Sequence, residues 1–332
     1  MQQDPAMKKL IAGIVLGIAL IYLSLQGIDF QKVADAFKQV RLDYVLLFLV
    51  IVFCVQFLRS FRWGLMLRPL DQVDQISLFS VTSVGFLAII SLPARLGELA
   101  RPYLITKKSK IKMTAALGTI FVERVCDSIS ILAIFAVILF FIPSLPPWLV
   151  RSALLVSLLT CVFLAVMVFM LMKREAALKI FSPLINRLPE RFAGKIDGLL
   201  HQLIDGFKIF SDFRLLLQVI LLSVVVWLIN AAAIYTLFHA FAFQLPFAAA
   251  TVLMIILLIG IAIPTAPGFI GNWHYACILG LTLFDVSKSE ALTFAIIYHF
   301  LSIGIVIALG IIFLPFNKFS IADMKKEALS TH

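Results

Sequence analysis

Charge is what this sequence has least of. Only 14% of its 332 residues are Asp, Glu, Lys or Arg, against about 25% in soluble domains. With 62% of the residues hydrophobic, too few polar side chains remain to cover a water-facing surface, which excludes a soluble globular protein. Cysteine is scarce too. Cys54, Cys126, Cys161 and Cys277 sit in apolar segments at unrelated spacings, so neither a disulfide framework nor a metal site is indicated, and they read as small buried hydrophobes. There is no phosphate-binding glycine loop, no metal-ligating His/Glu spacing and no nucleophile elbow. The longest soluble stretch, 173–214, is too short for a transferase domain. Neither catalysis nor a cofactor is expected. The net charge is +10, but no basic soluble module with interleaved aromatics exists to turn that charge toward nucleic acid.

What is abundant is long hydrophobic sequence. The mean hydropathy is +1.07, and several runs reach the ~20 residues that cross a hydrocarbon core of ~30 Å. The expected fold class is all-α, a polytopic membrane helical bundle, and the 30 phenylalanines suit a lipid-facing surface. Lys8 and Lys9 precede a long apolar run with no small-residue cleavage site, which predicts an uncleaved first helix and a cytoplasmic N-terminus. Spans are predicted near 10–27, 43–62, 114–142, 151–172, 215–240 and 291–314. Phe30, Val33, Phe37 and Val40 recur at helical spacing and predict a short helix lying on the outer membrane face. Arg59, Arg62 and Arg68 read as the cytoplasmic end of the second span. The block Lys107, Lys108, Lys110 and Lys112 and the tail with Lys318, Lys325 and Lys326 fall on that same side. The chain reads as one domain, with halves 10–172 and 215–315 joined by an amphipathic cytoplasmic connector, 173–214. The expected location is a bacterial cytoplasmic membrane, with both termini inside.

Two apolar segments are interrupted. One is SLPARLGELARPYLITKKSKIK, residues 91–112; the other is GIAIPTAPGFIGNWHYACILGL, residues 260–281. Residues 78–92 start and end on the cytoplasmic side and are too short to cross, which predicts a re-entrant hairpin. The second broken pair, 248–264 and 273–284, enters from the opposite side. Opposite entry of two broken segments is the sign of an inverted repeat. Backbone freed at Pro93, Gly97, Pro264, Pro267, Gly268 and Gly271 must find partners in protein or water, so these residues mark a cavity.

Three polar groups stand out against this background. Arg95, Glu98 and Arg101 follow the first break at spacings of three residues, and arginine forks match phosphate oxygens. Glu123, Arg124 and Asp127 lie about 14–20 Å into an otherwise apolar helix, where each charge costs roughly 2.5–3.5 kcal/mol unless partnered or wet. Glu123 and Asp127 share a face, and Arg124 is placed to pair with Asp127. Asn272 and His274 follow the second break, and His299 lies partway into the last helix, where histidine suits proton coupling. The plain alternatives are a salt-bridged loop for the first group, a self-neutralised structural triad for the second and hydrogen-bonded packing for the histidines.

The series LPARLGELARPYL, VERVCD and IPTAPGFIG, in this order over residues 10 to 315, resembles the flippase-like family. That family includes the transmembrane domain of lysylphosphatidylglycerol synthase, the multiple peptide resistance factor. The resemblance implies lipid movement between leaflets and two re-entrant segments meeting near the middle. It also implies a site at Arg95, Glu98, Arg101, Glu123, Arg124 and Asp127. Two departures limit what it implies. The aminoacyl-transfer domain of the synthase has no counterpart in these residues, so lipid aminoacylation is not carried over. Where many relatives have an acidic residue, this chain has His274.

The resulting expectation is a flippase for a phosphate-bearing membrane phospholipid or lipid-linked substrate, its headgroup at Arg95 and Arg101. Substrate-binding residues are expected to include Asn272, His274 and His299. A homo-oligomer and a lipid-modifying enzyme partner are both compatible with the sequence. Two other readings stay open: a non-transporting scaffold subunit of an envelope lipid or glycan synthesis system, and a small-solute or ion transporter.

Overall fold

Three helix starts in this chain are set by short polar side chains next to apolar runs. Asp74 and Asp212 lie in extended backbone, and their carboxylates accept the N–H of Ser77 at 2.8 Å and of Leu215 at 3.0 Å. Ser287 does the same for Glu290. The resulting computed structural model describes residues 5–92, 97–142, 145–185, 190–263, 267–317 and 319. The expectations placed on Pro93, Arg95, Pro264 and the lysines of the C-terminal tail fall outside those residues.

The helices in chain order are α1 (Pro5–Leu25), α2 (Phe30–Lys38), α3 (Leu42–Leu67), α4 (Gln75–Ser91), α5 (Ala100–Thr106), α6 (Met113–Phe141), α7 (Pro147–Met172), α8 (Arg174–Ile185), α9 (Glu190–Asp205), α10 (Phe213–Ala240), α11 (Phe247–Ala262), α12 (Asn272–Thr282) and α13 (Lys288–Phe313). Among the described residues there is no strand. Five helices, α3, α6, α7, α10 and α13, are long and apolar enough to cross a membrane. This is a multi-pass all-α membrane bundle. By contrast α4 and α11, with 17 and 16 residues, reach only about 25 Å.

One boundary differs in a way that matters. The second span runs to Leu67 rather than ending near 62, so Arg59 and Arg62 lie inside α3 and not at its loop end. The apolar run FRWGLML sustains the helix past them, and neighbouring helices supply the partners that keep the arginines there.

Packing divides into two apolar cores. One is built from Phe48 of α3, Ile134 and Ile138 of α6, the later half of α10, and α11, α12 and the start of α13. The other holds Trp63 and Met66 of α3, α4, α5, Val122 and Cys126 of α6, and Phe207. Arg59, Arg62, Asp127 and Ser223 occupy the seam between them on α3, α6 and α10. On the outside, α7 exposes Leu154, Leu155, Leu158, Leu159, Val162 and Val166, a surface suited to lipid. All four cysteines are free, but Cys54 and Cys161 are exposed on α3 and α7 rather than buried, as helices facing hydrocarbon allow.

Both chain breaks are closed by tight backbone contacts. At the first, α5 folds back onto α4, and Gly97 sits where an added Cβ would lie 2.3 Å from the Ala88 carbonyl and the Ile89 nitrogen. At the second, α12 packs along α11 and α1, and Gly271, at φ +97°, meets the backbone of Gly17. The turn at 267–269 rests against α4, with Gly268 beside Ile90, so the two breaks touch.

Asp74 gives a test of the capping argument. The backbone N–H and hydroxyl of Ser77 hold its carboxyl below the usual range. Because its folded pKa is depressed, its contribution is complete above its unfolded value of about 3.9 and fades as pH falls through the lowered value. Asp74→Ala is expected to cost about 1 kcal/mol at pH 7. Unfolding curves of the two proteins should converge as pH falls below that lowered value.

Candidate functional site

The charged centre is assembled from four helices, α3, α5, α6 and α10. Arg62, from α3, is 1% exposed and donates from Nη1 to Asp127 Oδ1 of α6 at 2.5 Å and to Ser223 Oγ of α10 at 2.7 Å. Its Nη2 lies 3.3 Å from Glu123 Oε1. The indole N–H of Trp227 donates to the same Asp127 oxygen at 2.9 Å. Asp127 is therefore held by Arg62 and Trp227, not by Arg124.

Arg101, from α5, crosses α4 at Gly85, where a Cβ would fall on its stem. It then forks onto Glu123 through Nη1 at 3.2 Å and Nη2 at 2.9 Å. Its guanidinium lies 4.3 Å from the centre of the Trp63 ring, and that indole is fixed by donation to Thr119 Oγ1 at 3.1 Å. Arg101 is thus buried with both Nη atoms on a carboxylate; it is expected as the phosphate anchor, and here its fork meets Glu123. Glu98 is half-buried in the turn that precedes α5.

Arg59, like Arg62, is a residue that the sequence reading left out of the site. It lies one turn from Arg62, half-buried, with its guanidinium 5.6 Å from the ring centre of Phe86 and 5.7 Å from that of Trp227. Its charge acts on Asp127 and Glu123. Among the described residues it makes neither a hydrogen bond nor an ion pair. Among the described residues, three guanidiniums, Arg59, Arg62 and Arg101, face two carboxylates, Glu123 and Asp127, and one positive charge is left over. Polar atoms around this layer also lack partners among the described residues: Nε of Arg62, Nε of Arg101, Thr82 Oγ1 and both amide atoms of Gln56 are buried without a hydrogen bond there. Buried donors of this kind are normally satisfied, so a layer that keeps several has capacity for a polar visitor. The signal that could have found Arg59 is its helical spacing with Gln56 and Trp63, on a face whose partners lie in distant sequence.

Arg124 goes elsewhere. It is exposed on the far side of α6, in a cleft with Ser128, Thr160 and Phe163 against α7. The expected Arg124–Asp127 pair does not form, because Arg62 occupies that carboxylate.

At the second break Asn272 is 3% exposed. Its amide donates to the carbonyls of Gly260 at 3.0 Å and Ile263 at 3.2 Å, and its oxygen accepts the N–H of Trp273. It is spent on the carbonyls that the end of α11 frees, which corrects its expected role as a ligand. His274 and His299 stack with ring centres 4.8 Å apart, and His299 Nε2 bonds the Gly268 carbonyl at 2.7 Å. Pro267 is exposed at the turn.

The close approach at the first break makes a sharp prediction. Gly97→Ala places a methyl against backbone that cannot swing aside. It is expected to cost about 1–3 kcal/mol, read by thermal unfolding in detergent. Gly304→Ala, where nothing lies within 4 Å of the new methyl, should leave the midpoint unchanged or raise it slightly.

Comparison with known proteins agrees with this architecture. The family model described as the lysylphosphatidylglycerol synthase TM region matches residues 10–310. A UPF0104 membrane protein of Methanothermobacter thermautotrophicus is 24% identical over 336 residues, covering 95% of this chain and 98% of that protein. A second UPF0104 membrane protein, from Methanocaldococcus jannaschii, is 25% identical over 223 residues, covering 67% of this chain and 90% of its own length. No solved structure matches the chain.

Proposed function

This chain belongs to the lysylphosphatidylglycerol synthase TM-region family, and on that premise we propose that it moves a phosphate-bearing lipid between the leaflets of a membrane, without covalent chemistry. The observation that carries the reading is Arg59: a cation that makes no ion pair among the described residues, set between the faces of Phe86 and Trp227 in a seam whose described side chains leave one positive charge over. A phosphodiester carries one negative charge, and a guanidinium can bind two of its oxygens at once. The charge of the headgroup thereby matches the charge of the seam.

The tails also have somewhere to go. An apolar groove of about 590 Å³ runs between α6, α10 and α11, lined by Ile134, Val137, Phe141, Val224, Leu228 and Phe247. Val224 and Leu228 flank Trp227 on α10. The headgroup would sit in the seam and the acyl chains in this groove or in bulk lipid.

The orientation that fits places Arg68 and Lys107–Lys112 in the cytoplasm, in a bacterial inner membrane. In this reading α4 with α5 is a hairpin entering from the cytoplasm, and α11 with α12 enters from outside. The turn against Ile90 is where the two would part to change access. The test is transfer of a fluorescent phospholipid across vesicles holding the purified protein. The proposal expects transfer well above that of protein-free vesicles; equal rates would remove it.

A further inference from the structure

The lipid seam leaves His274 and His299 unused, yet their setting is specific. His299 lies eleven residues into α13, about 17 Å along the helix from its start. Its Nε2 faces a carbonyl, which can only accept, so Nε2 carries the hydrogen and Nδ1 is the basic nitrogen. His274 Nδ1 is buried and has no hydrogen-bond partner among the described residues, and each residue remains partly accessible. The rings sit 4.8 Å apart, too close for both to carry a charge at once.

We propose that His274 and His299 form a binding site for one proton and that this proton governs the second break. The carbonyl on His299 belongs to Gly268, which is held at φ +71° in the turn that rests against Ile90. A proton on His299 Nδ1 turns that bond into a charge-assisted one, roughly twice as strong as its neutral form. The protonated pair grips the turn, and the neutral pair releases it.

Few other groups compete for the proton. Facing the pair, α11 and α4 carry no titratable side chain, and the described side chains of α1 contribute only Tyr22. Their own helices add Tyr275, Cys277 and Tyr298, with Lys288 and Glu290 at the start of α13. Arg59, from α3, is the charged group that reaches this corner, acting on Tyr298. A proton at the histidines adds positive charge to the corner that Arg59 already reaches. As far as it drives lipid movement, the inference rests on the transport reading above.

Two measurements test it independently. Trp273 lies 5.4 Å from His299, ring centre to ring centre, and a protonated imidazole quenches indole emission. The emission difference between the protein and its Trp273→Phe variant, followed in nanodiscs, is expected to fall in a single one-proton step below about pH 6.5. The step should vanish in His299→Gln. A flat titration, or one unchanged in His299→Gln, overturns the site whether or not lipid moves. In vesicles, a pH gradient of one unit is expected to raise phospholipid transfer about threefold or more, given the tenfold ratio of proton activity. His274→Gln with His299→Gln should abolish that response. Transfer in the wild type that ignores the gradient overturns the coupling and leaves the lipid reading standing. No transfer under any condition removes the lipid reading instead, and the emission step then decides the proton site alone.

Discussion

Glu123→Ala is expected to be the most damaging single change in the protein, costing about 3–5 kcal/mol. Glu123 is shared by two buried arginines, the fork of Arg101 and one nitrogen of Arg62. Removing it strands the Arg101 guanidinium over Trp63 with no anion, at 2% exposure. Arg62 keeps Asp127 and Ser223, so the loss falls mainly on α5 and its contact with α6. The expected readout is a sharply lowered thermal midpoint in detergent, or failure to obtain a monodisperse protein. Pairing the change with Arg101→Met removes the stranded charge and should recover much of the loss, which a double-mutant cycle would show as strong coupling. Additive effects would mean that the two residues do not depend on each other.

Arg59→Ala should do the opposite: leave stability nearly intact and remove transport. Arg59 makes no ion pair or hydrogen bond among the described residues, so truncation leaves no partner exposed, and it relieves repulsion from Arg62 and Arg124. Lipid transfer, on the proposed reading, loses the cation that would meet a phosphate. A drop of tenfold or more is expected, equivalent to about 1.4 kcal/mol or more of lost interaction. The thermal midpoint should stay within about 2 °C. Arg59→Lys keeps the charge and loses the fork, so it should fall between the two. A transport rate unchanged in Arg59→Ala would place the headgroup elsewhere.

The helices themselves were legible in the sequence because hydropathy is a one-dimensional signal. Glu123 and Asp127 were legible for the same reason: charges so deep in an apolar run stand out, and their spacing of four puts them on one face. The partners of those charges were not legible. Arg62 meets Asp127 across 65 positions, and Arg101 meets Glu123 across 22. Local spacing rules favoured Arg124 for Asp127 because they see only one helix at a time. The same rules read Arg59 and Arg62 as loop charges, since arginine normally marks the cytoplasmic end of a span. The apolar residues from Phe61 to Leu67 argued against an end there. Asn272 looked like a ligand because it is polar at a break; the freed carbonyls of α11 are what it serves.

At the seam between the two cores paired charges fix the helices, and the proposed function assigns Arg59 to a phosphate. The most direct test is carbon–phosphorus dipolar recoupling by solid-state NMR, with arginine labelled at Cζ, in phospholipid bilayers. Comparison with Arg59→Lys isolates the signal of Arg59 from arginines at the membrane surface. A Cζ–phosphorus distance of about 4 Å, as two guanidinium–oxygen bonds impose, is the expected result. A difference spectrum with no phosphorus within reach of Arg59 would contradict it.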